Sequence, residues 1–299
     1  MQREMLRLRR SGATIGFVPT MGALHEGHLS LIRSARKENK IAAASIFVNP
    51  IQFGHGEDLK KYPRTLDEDK RLLKKAKVNY LFHPDAASMY PPGFAASVRP
   101  DARLVNCLCG KYRPGHFEGV ATVVAKLFHI AQPHRAYFGA KDYQQAVIIR
   151  RMIRDLNMGI EFRLCPTVRE KDGLAVSSRN RYLNPDERKR ARAVPGVLFW
   201  LRDQIISGKR SLSRLKREAI KRLRAGVDRV QYLEIVDPEN LASLKEYQSE
   251  MVAATACVVG KTRLIDNVII KPLQNGNSGL LLRRGQVLSN DLSPTTRGH

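Results

Sequence analysis

The sequence predicts an α/β protein, a parallel sheet with crossover helices followed by a smaller unit of helices and antiparallel strands. Two observations carry this. Short apolar runs at residues 14–18, 41–48, 80–82 and 163–168 alternate with amphipathic stretches, the order expected of a parallel sheet with right-handed connections. After Asn184 the order changes: helices run to about residue 226, then strands are expected at 230–236, 251–259 and 263–270. The chain therefore divides into a first unit at 1–183, a second at 184–273 and a polar, Gly-rich tail at 274–299. At 299 residues and 43% hydrophobic content it can bury a real core.

The first strand runs through Pro19-Thr-Met-Gly-Ala-Leu-His-Glu-Gly-His28 into an amphipathic stretch at 29–37. Strand, tight turn, helix is the arrangement that presents backbone N–H groups to an anion. His25 and His28 stand three apart at the helix start, so their rings can project the same way, toward a polyphosphate. A zinc pair is not the expected reading: the helical metalloprotease signature spaces its histidines by four, and no downstream Cys/His cluster supplies a third ligand.

The second strand ends at Asn49-Pro-Ile-Gln52, which puts Asn49 and Gln52 at the carboxyl edge where ligands gather in parallel sheets. Thr65 is the expected N-cap of the next helix, with Glu68 completing a capping box. Residues 84–100 read as a Pro/Gly-rich surface loop. Lys111, Arg113 and His116 precede an apolar helix at 120–131 and suit an anionic substrate. Gly139, Lys141 and Asp142 repeat the strand–turn–helix pattern; Lys141 can bind phosphate, and Asp142 either caps the helix or binds a ribose hydroxyl. After the strand at 163–168, Ser177, Ser178 and Arg179 form a second phosphate-wrapping segment.

The formal charge is +24, an excess that attracts phosphate-bearing substrates and nucleic acid alike. Much of it lies between Asp186 and Arg229, which hold fourteen Lys or Arg against five Asp or Glu. Arg210, Arg214, Arg217, Lys221 and Arg224 share one helical face, with Leu212, Leu215, Ala219 and Leu223 opposite, so this stripe is expected to face water. Nucleic acid is not the expected partner, because no zinc finger or RRM-type aromatic motif accompanies the charge. No apolar run of membrane-spanning length occurs. Residues 1–13 are basic but lack an apolar segment, unlike a secretory signal. Cys107, Cys109, Cys165 and Cys257 form no C-x-x-C pair and suit a reducing cytoplasm.

The segment Pro19–His28 resembles the His-x-Gly-His signature of the nucleotidyltransferase superfamily, in the form carried by the pantoate-beta-alanine ligase (pantothenate synthetase) family. The similarity covers roughly Ser11 to Pro272, with several separated motifs in order. It implies a Rossmann-like catalytic domain and ATP-dependent condensation of (R)-pantoate with beta-alanine, giving pantothenate, AMP and diphosphate through a pantoyl adenylate. It places ATP along Met21, Gly22, Ala23, Leu24, His25, Glu26, Gly27 and His28, at Gly139, Ala140, Lys141 and Asp142, at Val168, and at Val176, Ser177, Ser178 and Arg179. Pantoate is implied at Gln52 and Gln145, with beta-alanine near Gln52. His28 is the implied catalytic residue, assisted by His25, Lys141, Ser177 and Ser178. Mg2+ and a homodimer are implied by the same analogy. Val176 stands where the family has Met, and Ala140 where it has Glu; neither removes a charged phosphate ligand. The segment before Thr14 holds what resembles the family's first helix but not the strand that ordinarily precedes it, as expected of a truncated start or a missing edge strand.

Two other readings compete with this one. A transferase placing a nucleotide on a phosphorylated acceptor needs fewer acyl-holding groups than Gln52 and Gln145 supply. A nucleic-acid-binding protein on an enzyme-like fold rests on the charge alone.

Overall fold

The computed structural model describes residues 1–54, 56–208 and 211–271. Five strands, β1 (Ile15–Thr20), β2 (Ile41–Ile46), β3 (Tyr80–Phe82), β4 (Arg135–Gly139) and β5 (Glu161–Cys165), form a parallel sheet in the order β3-β2-β1-β4-β5. The order reverses at β1: one crossover leads left to β2, and the next unpaired position is taken on the right by β4. A ligand crevice opens at that switch point, beyond the carboxyl ends of β1 and β4.

Side-chain alternation explains why helices cover both faces. Ile15 and Phe17 of β1 point to one side, where they are buried with Val120, Phe128 and Ile149 of α6 (His116–Ala131) and α7 (Tyr143–Asp155). Val18 points to the other, against Leu31 and Ile32 of α2 (Glu26–Glu38) and Leu73 of α3 (Leu66–Lys75). Each such side chain contributes about 1.5–3 kcal/mol on burial. Helix α1 (Gln2–Arg10) adds Met5 to the first of these cores. The expected first helix is thus present, and β3 and β5 are the sheet edges.

Three further strands, β6 (Arg229–Val236), β7 (Met251–Val259) and β8 (Thr262–Ile270), form an antiparallel sheet in that order. One face packs under Leu198, Leu201 and Ile205 of α9 (Ala193–Ile206) and Leu212, Leu215, Ala219 and Leu223 of α10 (Leu212–Arg224). The apolar stripe read for α10 is therefore its buried face. Val236, Val252 and Ala254 on the other face join Leu104, Tyr143 and Ile148 of the first unit. Burial on both faces is why β7 reads as a nearly continuous apolar run.

Helix α2 begins at Glu26 with His25 as its N-cap, so both histidines stand at the helix start as expected. Two local expectations need correcting. Thr65 does precede α3, but its ψ of 46° departs from the extended backbone of a capping residue, and its side chain makes no cap bond. Residues 84–100 are not wholly irregular: Asp85 accepts the Ser88 N–H and starts α4 (Ala86–Met89). A short helix α5 (Ala102–Val105) and, later, α8 (Pro185–Ala191) complete the described elements. The tail expected from 274 onward lies outside the described residues, as does Arg210 of the basic stripe.

Candidate active site

Beyond the ends of β1 and β4 lies a cavity of about 210 Å³. Its wall includes Met21, His25, Gly27, His28, Gln52, Gly139, Lys141, Asp142, Gln145, Val168, Val176 and Arg179, twelve of the residues expected from sequence. Ser177 lines a smaller neighbouring cavity that shares Arg113, His116, Lys141, Asp142, Gln145 and Arg179 with it.

The signature loop is shaped by a group the sequence reading passed over. Asp69 of α3 is buried, and its carboxylate accepts the backbone N–H groups of Ala23 (2.9 Å) and Leu24 (2.7 Å). Gly22 sits at φ +81°, a conformation favouring glycine, and an added Cβ would stand 3.0 Å from the same carboxylate. Gly22, Ala23 and Leu24 thus shape the turn rather than line the cavity, and the first two N–H groups expected to face an anion are already taken. Glu26 points outward to an ion pair with Arg33. Ala140 and Ser178 also stand outside the cavity wall.

That turn delivers the two imidazoles together. The His25 and His28 rings are stacked with centroids 4.1 Å apart. The His25 backbone N–H donates to His28 Nδ1 over a long 3.4 Å, which leaves the proton of neutral His28 on Nε2. Desolvation pushes His28 down to about 3, with the neighbouring His25 adding to the effect. His25 is pushed down to about 4, first by desolvation and then by the Lys141 charge; its Nδ1 has no partner among the described residues. Before ligand arrives both rings are neutral donors, not cations.

Lys141 and Asp142 follow β4 on a 3₁₀ turn (Ala140–Asp142), with Lys141 Nζ 3.4 Å from the Asp142 carboxylate. Asp142 makes no capping bond to α7, which removes one of its two expected roles. Desolvation alone would raise its pKa, but Lys141, Arg179 and His28 outweigh it and hold the group below the usual carboxylate range. The turn is braced from the second sheet: Asn267 Nδ2 donates to the carbonyls of Ala140 (2.9 Å) and Lys141 (2.8 Å). Its neighbour Asp266, 4% exposed, forms a bidentate pair with Arg169.

Two carboxamides complete the wall. Gln52 closes a 3₁₀ turn (Pro50–Gln52); its Oε1 accepts from Asn49 and its Nε2 points to Met21 Sδ at 3.0 Å. A thioether is a weak acceptor that a carboxylate would readily replace. Gln145, on α7, lines both cavities. The cations expected at 111–116 behave differently from expectation. Lys111 lies outside both cavities, Arg113 is held by Glu57 at 2.6 Å, and His116 is buried and pushed down to about 4 by desolvation and then by Arg113. Arg179 is likewise paired, with Asp58 at 2.9 Å. Glu57, Asp58, Asp69, Asn267 and Asp266 are the polar groups that the sequence reading did not single out.

A Rossmann-like sheet whose switch-point cavity gathers a stacked histidine pair, a lysine and two carboxamides defines a nucleotidyltransferase-type enzyme. The model of the pantoate-beta-alanine ligase family matches residues 1–269. Pantothenate synthetase of Thermotoga petrophila is 50% identical over 271 residues, covering 90% of this chain and 96% of its own. That of Thermodesulfovibrio yellowstonii is 51% identical over 265 residues, covering 88% and 94%. Among solved structures, pantothenate synthetase from Thermus thermophilus superposes with a TM-score of 0.85 at 47% identity, covering 90% of this chain and 98% of that one. Pantoate-beta-alanine ligase from Francisella tularensis, in complex with beta-gamma ATP and beta-alanine, gives 0.72 at 34% identity, covering 89% and 95%. The chain belongs to the pantoate-beta-alanine ligase family, and is an ATP-dependent ligase that forms pantothenate.

Proposed function

We propose that the condensation of (R)-pantoate with beta-alanine runs at this cavity in two steps. A carboxylate does not acylate an amine at neutral pH, because its oxygen is a poor leaving group, so the acid must first be activated. Gln52 and Gln145, neutral donors, would orient the pantoate carboxylate toward the α-phosphorus of ATP. A carboxylate oxygen attacks phosphorus, the bond to the bridging oxygen breaks, and pantoyl adenylate and diphosphate form. The amine of beta-alanine, arriving near Gln52, then attacks the acyl carbon; it loses a proton and AMP leaves. No acyl-enzyme is needed, because the adenylate is already the activated acid.

The observation that carries this reading is the meeting of the histidine pair and Lys141 with two carboxamides in one cavity. The first set suits phosphate oxygens; the second suits an acid that must be held without being neutralised. His28, through Nε2–H, and Lys141 would stabilise charge growing on the phosphates, with His25, Ser177, Ser178 and Arg179 in support. Main-chain and side-chain groups at Gly139, Val168 and Val176 would border the nucleotide.

Mg2+ belongs to the same reading. Among the described residues no three His, Cys, Asp or Glu side chains stand together as a cage. Mg2+ keeps several waters and is held largely by substrate phosphates, so it needs no such cage. Asp142, the carboxylate of the cavity wall, would hold it beside ATP, where it would offset phosphate charge. By family analogy the chain works as a homodimer, and its free thiols suit the cytoplasm. No helix among the described residues is long and apolar enough to cross a membrane.

The test is product analysis. With ATP, Mg2+, pantoate and beta-alanine the purified chain should yield pantothenate, AMP and diphosphate in equal amounts. Formation of ADP and phosphate would refute the adenylate route.

A further inference from the structure

Gln52 is placed from behind by side chains that belong to neither the phosphate-holding nor the carboxamide set. His116 Nδ1 stands 2.8 Å from the Gln52 carbonyl oxygen, so this nitrogen carries the proton and donates. Its Nε2, the acceptor of the neutral ring, takes a hydrogen bond from the Arg113 guanidinium at 2.9 Å. Arg113 in turn makes two 2.6 Å bonds to Glu57, one to each carboxylate oxygen. The chain Glu57–Arg113–His116–Gln52 is thus continuous, and each link fixes the direction of the next.

The turn carrying Gln52 is also pressed onto α6. A Cβ at Gly119 would fall 2.4 Å from the Ile51 carbonyl oxygen, and the Gly119 carbonyl accepts from Asn49 Nδ2 at 3.1 Å. Asn49 itself holds Gln52 Oε1 and is held by the Tyr90 hydroxyl. Asn49 therefore aims the carboxamide, while His116 fixes the backbone from which it projects. Arg113 and His116 need not touch substrate to matter. A turn with its carbonyl unbound can rotate, and a rotation displaces an amide group that would meet the pantoate carboxylate.

We propose that His116 and Arg113, anchored by Glu57, are positioning residues that set the pantoate site by locking the Gln52 backbone. This rests on the reading of Gln52 as a pantoate ligand. A structural role would lower stability or impair all substrates alike; a positioning role acts on pantoate and leaves ATP alone.

The experiment measures direct pantoate binding by calorimetry, with steady-state KM for pantoate and ATP, in wild type, His116→Phe, His116→Asn and Arg113→Met. Loss of a hydrogen bond that orients one ligand is read as about a tenfold rise in pantoate Kd and KM. His116→Phe and Arg113→Met should show that rise with ATP KM within about twofold of wild type. His116→Asn, whose amide can donate as Nδ1 does, should recover most of the loss. If His116→Phe does not fold, Arg113→Met and His116→Asn carry the test, since neither removes the ring's bulk without a polar replacement at the site. Unchanged pantoate binding in folded Arg113→Met, or equal losses for pantoate and ATP, would overturn the proposal. Failure of wild type to bind pantoate would instead refute the reading of the site itself.

Discussion

The cations of the cavity and those of α10 are arranged in opposite ways. Lys141, Arg113 and Arg179 each face a carboxylate: Asp142 at 3.4 Å, Glu57 at 2.6 Å and Asp58 at 2.9 Å. On α10, Lys216 pairs with Glu234 and Arg222 with Glu218 at the flanks, but Arg214, Arg217, Lys221 and Arg224 have no ion pair among the described residues. The difference separates charge that is aimed from charge that is only carried. A paired guanidinium in a cavity wall holds a loop in place. An unpaired one on a solvated face is screened within about 10 Å at 0.1 M salt. The four cations of the stripe belong to the second kind, so their charge says little about the reaction.

Removing a cavity group should therefore have the largest effect. His28→Ala should lower kcat by about 10²- to 10⁴-fold, because charge on the reacting phosphate loses a preorganised donor, while the melting curve stays near that of wild type. Lys141→Ala should fall in the same range. An activity within threefold of wild type in either variant would take that residue out of the mechanism.

The next effect is on stability. Asp266→Ala removes the carboxylate that holds the Arg169 guanidinium through both oxygens, and breaking a buried pair costs about 3–5 kcal/mol. Urea unfolding should show that loss; a midpoint near wild type would mean water replaces the carboxylate. Acid should also destabilise, with a definite sign. His25 and His28 are pushed down to about 4 and about 3 in the folded chain, below their ordinary value near 6.5. Above that value neither state binds the protons, and the contribution to stability is intact. As pH falls below it the unfolded chain binds them first, so stability is lost progressively toward pH 3 to 4. Ring proton shifts followed by NMR in the ligand-free protein should show no titration of these two residues near pH 6.5. A midpoint there for either ring would contradict the desolvated, neutral pair.

The smallest effect is expected on the stripe. Replacing Arg214, Arg217 and Lys221 together by Gln should leave kcat/KM within about twofold, since solvated charges make no specific contact. Tight RNA binding at physiological salt that this triple change abolished would show that the stripe is aimed after all.

Much of this was legible in the chain. The strand–turn–helix sites at His25, His28, Lys141 and Asp142 follow from local pattern, because an apolar run, a glycine turn and a polar helix start are adjacent in sequence. The apolar face of α10 follows from the 3.6-residue period. What escaped were polar groups that act across the sequence. Asp69 occupies a core phase of α3 with Leu66 and Leu73, and Asp266 alternates inward with Leu264, Val268 and Ile270; both breaks in an apolar pattern were visible, though their partners were not. Glu57, Asp58 and Asn267 give no local signal at all, because only the fold brings them to Arg113, Arg179 and the Lys141 turn. The pairing of Arg113 and the burial of His116 escaped for the same reason: net charge can be counted from sequence, whereas pairing cannot.

The most direct measurement is isotope exchange between diphosphate and ATP before any amine is supplied. Enzyme, Mg2+, ATP, pantoate and labelled diphosphate should exchange label into ATP in the absence of beta-alanine. Gln52→Ala and Gln145→Ala should suppress that exchange, because the carboxylate would no longer face the α-phosphorus. Exchange that appears only once beta-alanine is added would contradict a free-standing adenylate step.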